Sequence, residues 1–272
     1  MNAVPIARVN WADKVNSVGS GKPSRVVIHG VEGVGKTSLP AYAPSPIYMM
    51  TRGETGLMTL IDNDRIPETP HFPEVSTWLE SLSQIDWLAN AEHKFKTLAI
   101  DTGNGLERLC HEHIGNVEFG GDMGPKGFLN YGRGYDVSCG EWLKFLALLD
   151  RVRERGIQPF LICHTKVKNF KNPEGSDYDR YQPDMNEKTW GLTHKWADFV
   201  AFVNYETFVE KDKDSGRKKG AGGQKRIMYT ERRAAFDAKN RMGLPPSIVL
   251  ADSAEDSWKA LLEAVKQARN PQ

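Results

Sequence analysis

The chain has 272 residues, with 36 Lys+Arg against 35 Asp+Glu and a formal net charge of +1. That balance excludes a histone-like polycation, so any nucleic-acid surface must be local. With 39% hydrophobic and 26% charged residues, the chain can build a sizeable core and is not a disordered polymer.

Residues 1–24 are read as an N-terminal arm, 25–250 as one core and 251–272 as a C-terminal helix. Within the core, Arg25-Val26-Val27-Ile28-His29 is a short β-branched run and reads as a buried strand. A glycine loop, Gly30 to Gly35, follows, then a short helix over Lys36–Tyr42 with Pro40 in its first turn. Pro46–Thr51 reads as a second strand. Thr77–Asn90 reads as a helix, Thr77 and Glu80 having the spacing of a capping box. Lys96–Asp101 is a strand and Gly103–Ile114 a helix.

Gly115–Gly134 holds seven glycines and reads as a loop. Val137–Arg155 is an amphipathic helix, with Trp142, Phe145, Leu146, Leu149 and Val152 at helical spacing. Ile157–Cys163 is another apolar strand. Lys166–Lys188 is polar and reads as a second long loop. Asp198–Glu206 and Arg226–Glu231 form a hairpin around the Gly- and Lys-rich stretch Lys211–Lys225, Ala234–Lys239 extends the sheet, and Asp256–Arg269 is the last helix. Strands alternating with helices, then strands in succession, imply an α/β fold. Its central sheet is mainly parallel, with flanking helices and an antiparallel extension at one edge.

Gly30-Val31-Glu32-Gly33-Val34-Gly35-Lys36-Thr37 matches G-x-x-x-x-G-K-[ST], and Ser38 follows it. Glycines let successive N–H groups turn inward onto phosphate oxygens, and the following helix aims its positive end at the same anion. Lys36 would reach the β/γ-phosphates of ATP, and the Thr37 hydroxyl would ligate Mg²⁺. Such a site needs a carboxylate for the metal sphere at a neighbouring strand end. Asp101 closes the apolar run Phe95–Ile100 about 65 residues after Lys36 and supplies it. Hydrolysis also needs a group that orients water. Glu54, just past the second strand, is the first candidate and Glu32 the weaker one. His164, at the end of the strand Phe160–Cys163, can sense the γ-phosphate. Cys110, His111 and His113 have no second ligand pair at zinc spacing, so no metal is assigned to them.

The glycine loop, Gly53-Glu54-Thr55-Gly56-Leu57, Asp101, Tyr131-Gly132-Arg133-Gly134-Tyr135, His164-Thr165-Lys166 and Lys239-Asn240-Arg241 occur in one order. That order resembles the phage and prophage AAA-type P-loop ATPases with a minimal RecA-like core, the Sak-four type of recombination ATPase, over roughly residues 23–250. The resemblance implies an ATP hydrolase acting on single-stranded DNA in homologous recombination or strand annealing, in a bacterial host's cytoplasm. It implies Glu54 as the catalytic glutamate and His164 as the γ-phosphate sensor. It also implies a homo-oligomer, ring or filament, in which Lys239 and Arg241 reach the neighbour's γ-phosphate, and a single-strand-binding protein as a further partner. DNA would meet parts of 115–134 and 166–188, with Lys166, Lys168 and Lys171 as candidate contacts. Against full-length RecA, the resemblance extends to neither a long N-terminal polymerisation domain nor a sizeable C-terminal domain, so a stable filament is not expected.

Two further readings stay open. One is a nucleotide-switch assembly ATPase acting on protein partners without DNA, which the near-neutral charge favours. The weaker one is a small-molecule kinase, for which no compact lid with clustered arginines is seen. The longest apolar run, Phe145–Leu149, is far short of the roughly 20 residues of a membrane helix, so no membrane partner is expected. Three widely spaced cysteines and no leader pattern in residues 1–10 point to a cytoplasmic protein with reduced thiols.

Overall fold

The computed structural model describes residues 19, 21–211 and 218–270. Most of the expected N-terminal arm and the middle of the basic hairpin connection lie outside them. The core begins with β1 (Val26–Gly30), β2 (Pro46–Met50) and β3 (Thr97–Asp101), whose residues are almost all buried. The helices α1 (Gly56–Asp62) and α2 (Trp78–Asn90) lie between β2 and β3. α3 (Gly103–Phe119) and α4 (Arg133–Glu154) lead to β4 (Gln158–Phe170). Then come β5 (Tyr178–Pro183), α5 (Glu187–Trp196), β6 (Phe199–Lys211) and β7 (Lys218–Tyr229). β8 (Lys239–Asn240), β9 (Ser247–Leu250) and α6 (Ala254–Arg269) complete the chain.

The sheet runs β2-β3-β4-β1-β6-β7-β9. Its first five strands are parallel, whereas β7 and β9 add antiparallel at one edge. This is a mainly parallel α/β sheet with an antiparallel edge, the class expected from the strand–helix alternation. Period-two alternation sorts the strands' side chains between two cores. Val27, Ile47 and Met49 face Trp78, Leu106, Trp142 and Phe145. Val26, Ile28 and Tyr48 face Leu39, Leu57, Trp258 and Leu261 on the other side. The α2 capping box forms in both directions: Thr77 accepts from the Glu80 amide, and Glu80 accepts from the Thr77 amide.

Four local expectations are corrected. Lys36–Tyr42 is not a helix throughout: turns precede a 3₁₀ segment over Leu39–Tyr42. Pro40 has no N–H to give the Lys36 carbonyl, so an α-helical ladder cannot run through it. The glycine-rich loop shrinks, because α3 runs on to Phe119 and stops at Gly120, whose φ of +60° is a left-handed C-cap. α4 then starts at Arg133. The largest departure is 166–188, which is no loop. β4 continues to Phe170 and pairs antiparallel with β5, from Thr165↔Pro183 to Phe170↔Tyr178. The expected sheet extension over 234–239 reduces to β8, which pairs with the start of β6.

Candidate active site

The site lies where the parallel strands end. β1 runs into the glycine loop at Gly30, which is in register with His164 on β4 and Val203 on β6. Gly30 has no room for a side chain, since a Cβ there would lie 2.1 Å from the Val203 carbonyl oxygen. β3 ends at Asp101, beside Ile162 of β4. Thus the loop, Asp101 and His164 converge because three neighbouring strands terminate or leave the sheet at one level.

Lys36 is 8% exposed. Its ammonium donates to the carbonyls of Gly30 (2.9 Å) and Val31 (2.8 Å). Burial lowers its pKa by disfavouring the charged form, against the opposing pull of Asp101, Glu32 and Glu54. The Thr37 hydroxyl donates to Asp101 Oδ2 at 2.7 Å. Asp101 is 4% exposed and joins no ion pair among the described residues. Burial pushes its carboxyl up to about 6 against the Thr37 hydrogen bond, which acts the other way. Tyr48 donates its hydroxyl to the Thr37 carbonyl at 2.6 Å and so fixes the main chain behind the loop.

Glu54 follows β2 and is steadied from two sides. The Thr102 hydroxyl donates to its Oε1 at 3.1 Å, and His164 Nε2 lies 3.3 Å from the same oxygen. The His164 contact, first among the causes, holds the Glu54 carboxyl below its usual range. Reciprocally, Glu54 raises the His164 imidazole. Asn104 Oδ1 accepts the backbone N–H of His164 at 3.0 Å, so the start of α3 sets the height of β4. Together these groups border a cleft of about 390 Å³ with Glu32, Lys36, Thr37, Glu54, Asp101 and His164 on its walls.

The structure therefore brings the expected loop residues, including Gly33, Val34, Gly35 and Ser38, together with Asp101, Glu54 and His164. The bonds of Thr102 and Asn104, each to a residue far away in the chain, were not read from the sequence.

The remaining expected groups lie elsewhere. Lys239 and Arg241 sit at the start of β6, with the Arg241 N–H donating to the Asp198 carbonyl at 3.2 Å. That is the rim opposite the cleft, about 16 Å down the strand at roughly 3.3 Å per residue. The Lys239 ammonium caps α5, donating to the carbonyls of His194 (2.6 Å) and Ala197 (2.6 Å). Arg241 is exposed, 3.9 Å from Asp198. Lys166, Lys168 and Lys171 lie on the β4–β5 hairpin and its turn, each against a carboxylate. Their partners are Asp184 (3.0 Å), Glu187 and Asp177 (2.6 Å) respectively. Among the described residues no group of three His, Cys, Asp or Glu is placed to hold a metal, Cys110, His111 and His113 included. No helix of the described residues is long and apolar enough to cross a membrane.

A family model described as an AAA domain matches residues 22–242, most of the chain and the whole of this cleft. The chain belongs to the AAA domain family. Membership makes this AAA protein a nucleotide-binding, nucleotide-hydrolysing P-loop ATPase. No curated protein matches the chain.

Proposed function

We propose that this AAA protein is a Mg²⁺-dependent ATPase acting on single-stranded DNA in recombination or strand annealing, as a homo-oligomer. The observation that carries the reading is the place of His164. It touches Glu54 inside the cleft, and one residue later β4 leaves the parallel sheet for the β4–β5 hairpin. A group that feels the state of the phosphates is thus continuous with the surface that would hold the nucleic acid.

The residues fit Mg²⁺. Asp101 is a buried carboxylate with a hydroxyl partner and no ion-pair contact among the described residues, and Thr37 offers an oxygen beside it. A bound Mg²⁺ would supply charge neutralisation at the phosphate oxygens. The chain's own groups do the rest. Lys36 spends two N–H donors on loop carbonyls and keeps a third for a phosphate oxygen. Glu54, held ionised, orients the attacking water.

The hairpin supports a DNA partner through paired rings, Phe170 and Tyr178, 5.2 Å apart, and through its basic residues. One observation favours a second reading, an assembly ATPase with protein partners only: all three hairpin lysines already meet carboxylates. Fluorescence anisotropy of a labelled oligothymidylate at low and rising salt decides between them. DNA binding predicts affinity that falls with salt and weakens further when Lys166, Lys168 and Lys171 are all changed to Ala. No binding at low salt would leave the protein-partner reading standing. On the DNA reading, a single-strand-binding protein is a natural further partner.

A further inference from the structure

The glycine loop binds phosphate only if its peptide N–H groups point into the cleft, and two side chains outside the cleft govern that orientation. Tyr205, on β6, donates its hydroxyl to the Gly33 carbonyl at 3.2 Å. Arg226, on β7, anchors its guanidinium on the carbonyls of Ala251 and Asp252 and reaches the Val34 carbonyl at 3.5 Å. Its Nη1 lies 2.7 Å from where a Gly35 Cβ would stand, so it takes the space that a side chain there would need. Gly35 has φ of +93° and lines the cleft on its other side. Neither Tyr205 nor Arg226 lines the cleft.

In a trans peptide the C=O and the next N–H point in opposite directions. A Gly33 carbonyl held outward by Tyr205 therefore turns the Val34 N–H inward. A Val34 carbonyl drawn outward by Arg226 does the same for the Gly35 N–H. Successive inward N–H groups are the concavity that takes an anion.

We propose that Tyr205 and Arg226 are positioning residues that pre-set the phosphate cradle from behind. They face each other in adjacent strands, Tyr205↔Arg226 being a cross-strand pair of the β6–β7 hairpin. Whatever moves that hairpin therefore changes phosphate affinity. This rests on reading the cleft as a phosphate site.

The experiment titrates a ribose-labelled fluorescent ADP, and its displacement by inorganic pyrophosphate, against wild type, Lys36→Ala, Tyr205→Phe and the Tyr205→Phe/Arg226→Lys double variant. The double variant should bind both probes about tenfold more weakly, within the net worth of one neutral and one long charge-assisted hydrogen bond. Equal losses on ADP and pyrophosphate show an effect on the phosphate cradle and not on the base or ribose. Tyr205→Phe removes one exposed hydroxyl and should show part of the loss with an unchanged unfolding midpoint, which guards against a folding defect in the double variant. If Lys36→Ala loses binding while both other variants keep it, the positioning roles are overturned and the phosphate site stands. A loss on ADP without a loss on pyrophosphate overturns them too. If Lys36→Ala binds as wild type does, the phosphate-site reading falls, and this inference with it.

Discussion

Glu54 Oε1 and His164 Nε2 meet at 3.3 Å although 110 residues separate them. Each changes the other's proton affinity, lowering Glu54 and raising His164. The His164 contribution to stability is full below its ordinary 6.5 and is lost as pH rises through its raised folded value. The Glu54 contribution is full above its ordinary 4.5 and is lost as pH falls through its depressed folded value. The ion pair is therefore strongest between about pH 4.5 and 6.5, and it persists above pH 6.5 as far as the raised imidazole allows.

Glu54→Gln should return the His164 imidazole towards its ordinary range, because the carboxylate is the first cause of its elevation. An NMR titration of the His164 ring would follow the midpoint. A midpoint unmoved by the substitution would show that the 3.3 Å contact does not govern the imidazole.

Asp101→Asn should make the nucleotide-free protein more stable above pH 6 and weaken its hold on Mg²⁺. In the wild type, burial raises this carboxyl to about 6, so the folded state binds the proton more tightly than the unfolded chain does. Stability then falls as pH rises from about 4 to about 6, and the deficit persists above that, at an order of 2–3 kcal/mol. Asparagine carries no charge to desolvate and still accepts from Thr37. Urea unfolding at pH 5 and pH 8 checks this: the gain should be larger at pH 8. An equal or smaller gain at pH 8 would contradict it.

Much of this site is legible in the chain because each part is local. β1 is a β-branched run that leads through His29 to Gly30, β3 an apolar run ended by Asp101, and Glu54 stands a few residues after the apolar run of β2. What is not legible comes from pairing between distant segments. The sequence reading ends β4 at Cys163 because Lys166-Val167-Lys168-Asn169-Phe170 is polar on average and its Val and Phe, three apart, give no period-two signal; only pairing with β5 makes it a strand. Pro40 was allowed as a first-turn proline, yet without its N–H the segment after the loop tightens into 3₁₀ geometry. Tyr205 and Arg226 could not be found at all, since their contacts with the glycine loop span more than 170 residues.

Lys239 and Arg241, read together in the sequence, should separate in experiment. Lys239→Ala removes the cap on α5 and should cost about 1 kcal/mol of unfolding free energy, read in urea. Arg241→Ala touches only an exposed, distant Asp198 contact and should leave stability unchanged. Arg241 cannot reach the cleft of its own subunit, so any role in hydrolysis must be played on a neighbour. Mixing Arg241→Ala with Lys36→Ala should then restore part of the activity that each lacks alone, an arginine supplied in trans being worth about 10³ or more. Co-purifying mixed oligomers that stay inactive would confine Arg241 to the surface.

The most direct test is steady-state phosphate release from ATP by the wild type and Glu54→Gln, each titrated with Mg²⁺ and then with oligothymidylate. The wild type should hydrolyse ATP only with Mg²⁺, and faster as oligothymidylate is added. Glu54→Gln should bind labelled ATP as the wild type does and release almost no phosphate, since it keeps the shape of the cleft and loses the carboxylate. Undiminished release by Glu54→Gln would contradict the account of the site, and a wild-type rate indifferent to oligothymidylate would contradict the proposal that single-stranded DNA is its substrate.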